Sequence, residues 1–119
     1  NKSILEILKA GSFECSNKTQ YRKDELINLS FKLFETGDGS YKYQENWNML
    51  DQIIISGNLL NDAKLNYLCN SFEVFKPSIL VTQTGKFAGT PFPTYGGVRY
   101  LGGYSDHFPV YVTMLKRVN

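Results

Sequence analysis

The chain has 119 residues and a net charge of +2, from thirteen Lys+Arg against eleven Asp+Glu. That length holds one domain or less, and a hydrophobic fraction of 42% beside 20% charged residues excludes wholesale disorder. No apolar run exceeds that of Ile53-Ile54-Ile55, far short of the ~20 residues a membrane helix needs, and no basic block is longer than Lys116-Arg117.

The spacing Ser3-Ile4-Leu5-Glu6 has the form of a capping box, and with Ile7 and Leu8 before Gly11 it predicts a short amphipathic helix over 3–10. Residues 12–22 read as loop. From Asp24 the apolar positions Leu26, Ile27, Leu29, Leu33 and Phe34 stand mostly at helical spacing, so a second helix is expected over 24–35. The period then shortens. After the turn cluster Gly37-Asp38-Gly39-Ser40, Tyr41-Lys42-Tyr43 alternates as a strand. Residues 47–56 follow as one continuous strand, whose three consecutive Ile require burial on both faces and a central place in a layered core. A turn over 57–62 leads to one strand or two over 65–75, ended by Pro77. Residues 83–105, rich in Gly with two Pro, read as a long loop holding at most one short strand. Its aromatics Phe87, Phe92, Tyr95, Tyr100 and Tyr104 argue that it is ordered. A clean alternating strand over 107–115 closes the chain.

The 14% of aromatic residues favours a sheet-rich core. Two cysteines, Cys15 and Cys69, stand in unlike surroundings and read as two free, partly buried thiols. With a single His and no Cys-x-x-Cys, a structural zinc site is excluded.

Two places carry chemistry. Asp51 falls among the core residues Met49, Leu50, Ile53 and Ile54, where an unpaired carboxylate costs several kcal/mol, so it needs a cation, an imidazole or backbone N–H donors. Asp106-His107 follows the Gly-rich loop and opens the last strand, a usual place for displayed site residues. If the two strand ends are adjacent, Asp51 accepts from one imidazole nitrogen of His107 and holds the other toward a substrate. Asp106 would then point to the opposite side or out along the loop, where it could meet a hard cation such as Mg²⁺. Trp47 could stack on a base or sugar but reads more readily as core. Lys86 and Arg99 read as solvated, and neither Gly96-Gly97 nor Gly102-Gly103 has the helix or the Lys-Ser/Thr pair of a phosphate cradle.

Ser105-Asp106-His107-Phe108-Pro109-Val110 resembles the terminal Ser-Asp-His signature of the endonuclease/exonuclease/phosphatase superfamily. Residues 47–56, Trp-Asn-Met-Leu-Asp-Gln-Ile-Ile-Ile-Ser, resemble the Asp-bearing strand that precedes that signature. Gly39-Ser40-Tyr41-Lys42-Tyr43 and Gly102-Gly103-Tyr104-Ser105 resemble members common in Bacteroides-type bacteria. The resemblance covers roughly Gly39 to Leu115.

It implies an α+β chain with mostly antiparallel sheet, the C-terminal half of a four-layered α/β/β/α sandwich (DNase I-like). It also implies Mg²⁺- or Mn²⁺-dependent hydrolysis of phosphoesters, whether nucleic acid, lipid or sugar phosphate. Carried over, His107 would contact the scissile phosphate as base or transition-state donor, Asp51 would orient it, and Asp106 would lie at the metal or the nucleophilic water. Trp47 and Tyr104 are weaker substrate-binding candidates. The family's early Asn, its Glu ligand and its Gly-Asp-x-Asn motif are not among these residues. Residues 1–119 are therefore expected to be the C-terminal portion of a single domain, the metal ligands lying mainly in an N-terminal half. That half, or self-association, would cover the exposed sheet face. The competing expectation is a non-catalytic relative that binds a partner or ligand through the aromatic loop over 87–104. Localisation is not legible.

Overall fold

The computed structural model describes residues 2–62 and 64–118. Among the described residues ten short strands pair two by two in antiparallel ladders, with one isolated parallel bridge between Gly11 and Ile27. The arrangement is α+β. No described helix is long and apolar enough to cross a membrane.

The first helical segment is one wide π-type turn, Ser3–Ile7, with Lys2 rather than Ser3 at its N-cap. It is shorter than the expected helix because Leu5, Ile7 and Leu8 all stay exposed, so no apolar face is buried to extend it. A 3₁₀ turn, Cys15–Gln20, occupies the expected loop.

The helix expected over 24–35 divides into strand β1, Leu26–Asn28, and a short helix α1, Phe31–Glu35. Ile27, Asn28 and Leu29 are buried in succession, which a helix face cannot do and a strand inside a core can. Asn28 makes the division. Its Nδ2 donates to Gln52 Oε1 (2.7 Å), while its Oδ1 accepts from the backbone N–H (3.1 Å) and hydroxyl (2.6 Å) of Ser30. A side chain that bonds the backbone two residues on builds a turn, and here it turns the strand into α1.

Strands β2 (Tyr41–Tyr43) and β3 (Asn46–Asn48) form a tight hairpin in which Lys42 stands opposite Trp47. The single strand expected over 47–56 is interrupted. After β3 the chain turns aside through Met49 to Ile53, where Gln52 Nε2 bonds the Met49 carbonyl (2.9 Å), and resumes as β4, Ile54–Ser56, against β1. Asp51 thus lies between two strands and not inside one. Of the three Ile only Ile55 is buried, and β4 pairs with β1 alone among the described residues.

A 3₁₀ turn, Gly57–Leu60, leads to β5 (Leu65–Tyr67) and β6 (Glu73–Val74). These run against the strand expected over 107–115, which also divides, into β9 (Val110–Tyr111) and β10 (Met114–Lys116). The tight turn at Cys69 and Asn70, with Asn70 at φ 59°, interrupts the facing arm. Ser71 Oγ fills the gap by accepting from the Thr113 N–H (3.0 Å). The Gly-rich stretch holds two strands rather than one, β7 (Tyr95–Gly96) and β8 (Arg99–Tyr100), as an exposed hairpin with Tyr95 packed edge-on against Tyr100.

The core is Phe13, Ile27, Leu29, Met49, Ile55, Leu60, Tyr67 and Phe72. Cys15 and Cys69 border it as free thiols, as the sequence indicates. Burial, and then the neighbouring Cys69, pushes the Cys15 thiol up to about 11. Only a thiolate alkylates readily, so at pH 8 about one Cys15 in a thousand is in the reactive form. Iodoacetamide labelling followed by peptide mass analysis should therefore find Cys15 modified far more slowly than a free cysteine peptide, with a rate still rising above pH 9. Labelling at the peptide's rate would mean that partial burial and Cys69 do not raise the thiol's pKa.

Candidate active site

The site is assembled around one short segment, Asp38-Gly39-Ser40, at the entry to β2. Gly39 lies so close to β3 that a Cβ there would sit 2.6 Å from the Asn48 carbonyl oxygen, so only glycine admits this approach. It lets the Ser40 N–H reach that same oxygen (3.1 Å). Ser40 is fully buried. Its carbonyl accepts the Phe108 N–H (2.7 Å) and its hydroxyl accepts the Asp51 N–H (3.1 Å). One serine therefore ties down the two segments that carry Asp51 and His107, which are far apart in the chain.

Held this way, the side chains meet. His107 Nδ1 lies 2.6 Å from Asp51 Oδ2, with both side chains about one-third exposed. A carboxylate without a proton only accepts, so Nδ1 donates the hydrogen bond between them. The His107 backbone is fixed by its N–H to Ser105 Oγ (3.0 Å), and the Tyr41 ring leans on the imidazole with centroids 4.9 Å apart at 40°. The next residue, Phe108, is fully buried and stacks on Trp47 at 6.1 Å and 24°. Strand alternation makes this division: Tyr41 attends His107, while Lys42 and Trp47 lie on the other face of the hairpin.

The remaining sequence candidates land as follows. Asp106 is exposed beside the pair. Tyr104 is 62% exposed, its backbone N–H bonded to the Phe92 carbonyl (2.9 Å). Trp47 is half-buried, one neighbour being Phe108 and another the Lys76 ammonium, 4.8 Å from its centroid. No group of three or more His, Cys, Asp or Glu among the described residues could hold a metal ion. A cleft of about 450 Å³, lined by Ile4, Asn28, Phe31, Asn48 and Leu50 among others, involves neither Asp51 nor His107.

Sequence reasoning assigned no role to Ser40, Tyr41 or Lys76. A small polar residue after an obligatory glycine, directly before an alternating strand, is the one signal that pointed to Ser40. Nothing local marks Lys76.

Ser40→Ala is expected to lower the stability of the chain by about 1–2 kcal/mol, because the Asp51 N–H loses its acceptor inside the fold. Urea denaturation measures this. An unchanged midpoint would show that the hydroxyl does not hold the Asp51 segment.

A model of the Endonuclease/Exonuclease/phosphatase family matches residues 1–116. No curated protein and no solved structure matches the chain.

Proposed function

We propose that this chain, which belongs to the endonuclease/exonuclease/phosphatase family, is the Asp–His part of a metal-dependent phosphoester hydrolase. The family is generally hydrolytic. The observation that carries the finer reading is the 2.6 Å contact between His107 Nδ1 and Asp51 Oδ2, with the imidazole one-third exposed.

In this reading Asp51 fixes one tautomer and one ring orientation, leaving Nε2 toward solvent. Nε2 then holds a proton in transit, either taken from the attacking water or donated as a hydrogen bond to a phosphoryl oxygen. Both actions meet charge that develops only in the transition state, and the carboxylate behind the ring favours the imidazolium at that moment. Tyr41 keeps the ring from swinging away from Asp51, and Ser105 keeps its backbone in place. Substrates are phosphoesters of nucleic acids, lipids or sugars, with Tyr104 the better placed of the two aromatic candidates because its ring is not engaged by the core.

The described residues do not by themselves make a cage for a hard cation. Asp106 offers one carboxylate, whereas Mg²⁺ or Mn²⁺ takes about six oxygens. We therefore assign cation binding to Asp106 together with ligands outside these 119 residues, which act as the C-terminal portion of one domain.

A second reading is a non-catalytic relative that binds a partner or ligand through the aromatic loop. The exposure of Phe87, Tyr95 and Tyr100 favours it. The flanking sequence separates the two: without a Glu ligand and a Gly-Asp-x-Asn motif, only binding remains.

The activity test uses the full-length protein, an aryl phosphodiester and Mg²⁺. His107→Ala should lower turnover about 10²–10⁴-fold, while the thermal midpoint moves little. Asp51→Asn should also reduce activity, since an amide no longer enforces the tautomer. The 119 residues alone should show essentially no turnover. Full activity with His107→Ala would remove His107 from the mechanism, and robust activity in the isolated chain would overturn the divided site.

A further inference from the structure

Lys76 is a cation that the proposed mechanism does not use. It lies just past β6, and its ammonium pairs with the Asp38 carboxylate while standing 4.8 Å from the centroid of Trp47 and 5.6 Å from that of Phe108. Both members of the ion pair keep only about one-third of their side-chain surface in water, unlike the solvated pair Arg22–Asp24.

The partners of Lys76 are the supports of the dyad. Asp38 Oδ1 also accepts the Gly39 N–H (2.7 Å), which fixes the segment running into Ser40. Phe108 directly follows His107, and its N–H is held by Ser40. Trp47 stacks on Phe108 and belongs to the strand whose Asn48 carbonyl anchors the Ser40 N–H. A single ammonium thus bridges three segments, through a carboxylate on one side and two ring faces on the other. An ammonium held this way is attracted by the negative ring faces and needs no substrate to complete its surroundings.

We infer that Lys76 is a positioning residue for the Asp51–His107 pair, acting through Asp38 and the Trp47–Phe108 stack and not by touching substrate. Its activity arm rests on the phosphoesterase reading; its spectroscopic arm does not.

The test compares Lys76→Met, which keeps the stem and removes the charge, with Lys76→Arg, Asp38→Asn and the Lys76→Met/Asp38→Asn double variant, all in the full-length protein. The first readout is the His107 ring proton on Nδ1, followed by NMR with ¹⁵N-labelled histidine and identified by its loss in His107→Gln. The second is kcat and KM on the aryl phosphodiester with Mg²⁺. Lys76→Met should weaken or abolish the ring-proton signal and lower kcat about ten-fold, with KM within about two-fold of the unaltered protein. Lys76→Arg should restore both. The double variant should be no worse than Lys76→Met, because the two residues act as one unit.

A raised KM with unchanged kcat would overturn the inference in favour of a substrate contact. An unchanged ring proton together with unchanged kcat would reduce Lys76 to a solvated cation. If Lys76→Met does not fold, Asp38→Asn is read the same way, since it removes the ion pair and leaves the ammonium on the rings; a folded Asp38→Asn with an unaltered ring proton and kcat overturns the inference. Should neither variant fold, the pair is a stability element and the inference also fails. A protein that hydrolyses nothing, yet whose ring proton depends on Lys76, would keep the positioning role and discard the phosphoesterase reading.

Discussion

The geometry of the site depends on the buried backbone and hydroxyl of Ser40. Three chain segments converge on it: β3 at Asn48, the link at Asp51 and the residue after His107. Each of these bonds is individually modest, on the order of 1 kcal/mol net. Their value is geometric. Asp51 and His107 stand 56 positions apart, and side chains so distant in sequence meet at 2.6 Å only if their backbones are fixed first. Fixing them with the carbonyl and the hydroxyl of one buried residue leaves the carboxylate and the imidazole free of structural duty. Both can then stay partly in water.

Partial exposure is itself an electrostatic choice. A fully buried carboxylate–imidazole contact would have to repay a large desolvation penalty, and a fully exposed one would be held too loosely to define an orientation. At about one-third exposure the pair keeps a short hydrogen bond and a part of its surface in water. The Tyr41 ring contributes by covering a side of the imidazole without offering it a competing hydrogen bond.

The contact between Asp51 and His107 was legible in the sequence because these side-chain types are hard to explain otherwise. A carboxylate among Met49, Leu50, Ile53 and Ile54 demands a partner, and the chain holds one histidine. The fold was legible at the level of class, since small antiparallel sheets and short helices suit an α+β DNase I-like fragment. Its element boundaries were not. The residues from Leu26 to Phe34 carry apolar positions that fit a helix, and only the buried amide of Asn28 shows that the chain turns there. The strand read through Asp51 fails for a related reason: a side-chain acceptor, Ser40 Oγ, takes the Asp51 N–H that a ladder would otherwise use. Periodicity records which faces are apolar. It does not record which backbone groups are bonded by side chains, and those bonds decide where the short strands of this chain end.

The hairpin of β2 and β3 shows how packing and chemistry are joined. Period-two alternation sends Tyr41 to the imidazole, and Lys42 and Trp47 to the opposite face. On the other segment, which lies just before β9 and in no strand, His107 and Phe108 are neighbours with opposite duties: one is polar and one-third exposed, the other is buried against Trp47. The two segments therefore match twice, once on each face, and Ser40 sets the register in which they do so. A shift of one residue in either would place Phe108 where the carboxylate waits and send the imidazole into the aromatic stack, exchanging a satisfied polar pair for a buried unpaired one. Both mismatches penalise the same slip, so the apolar stack on the closed face enforces the polar contact on the open face, and the site inherits its precision from the core.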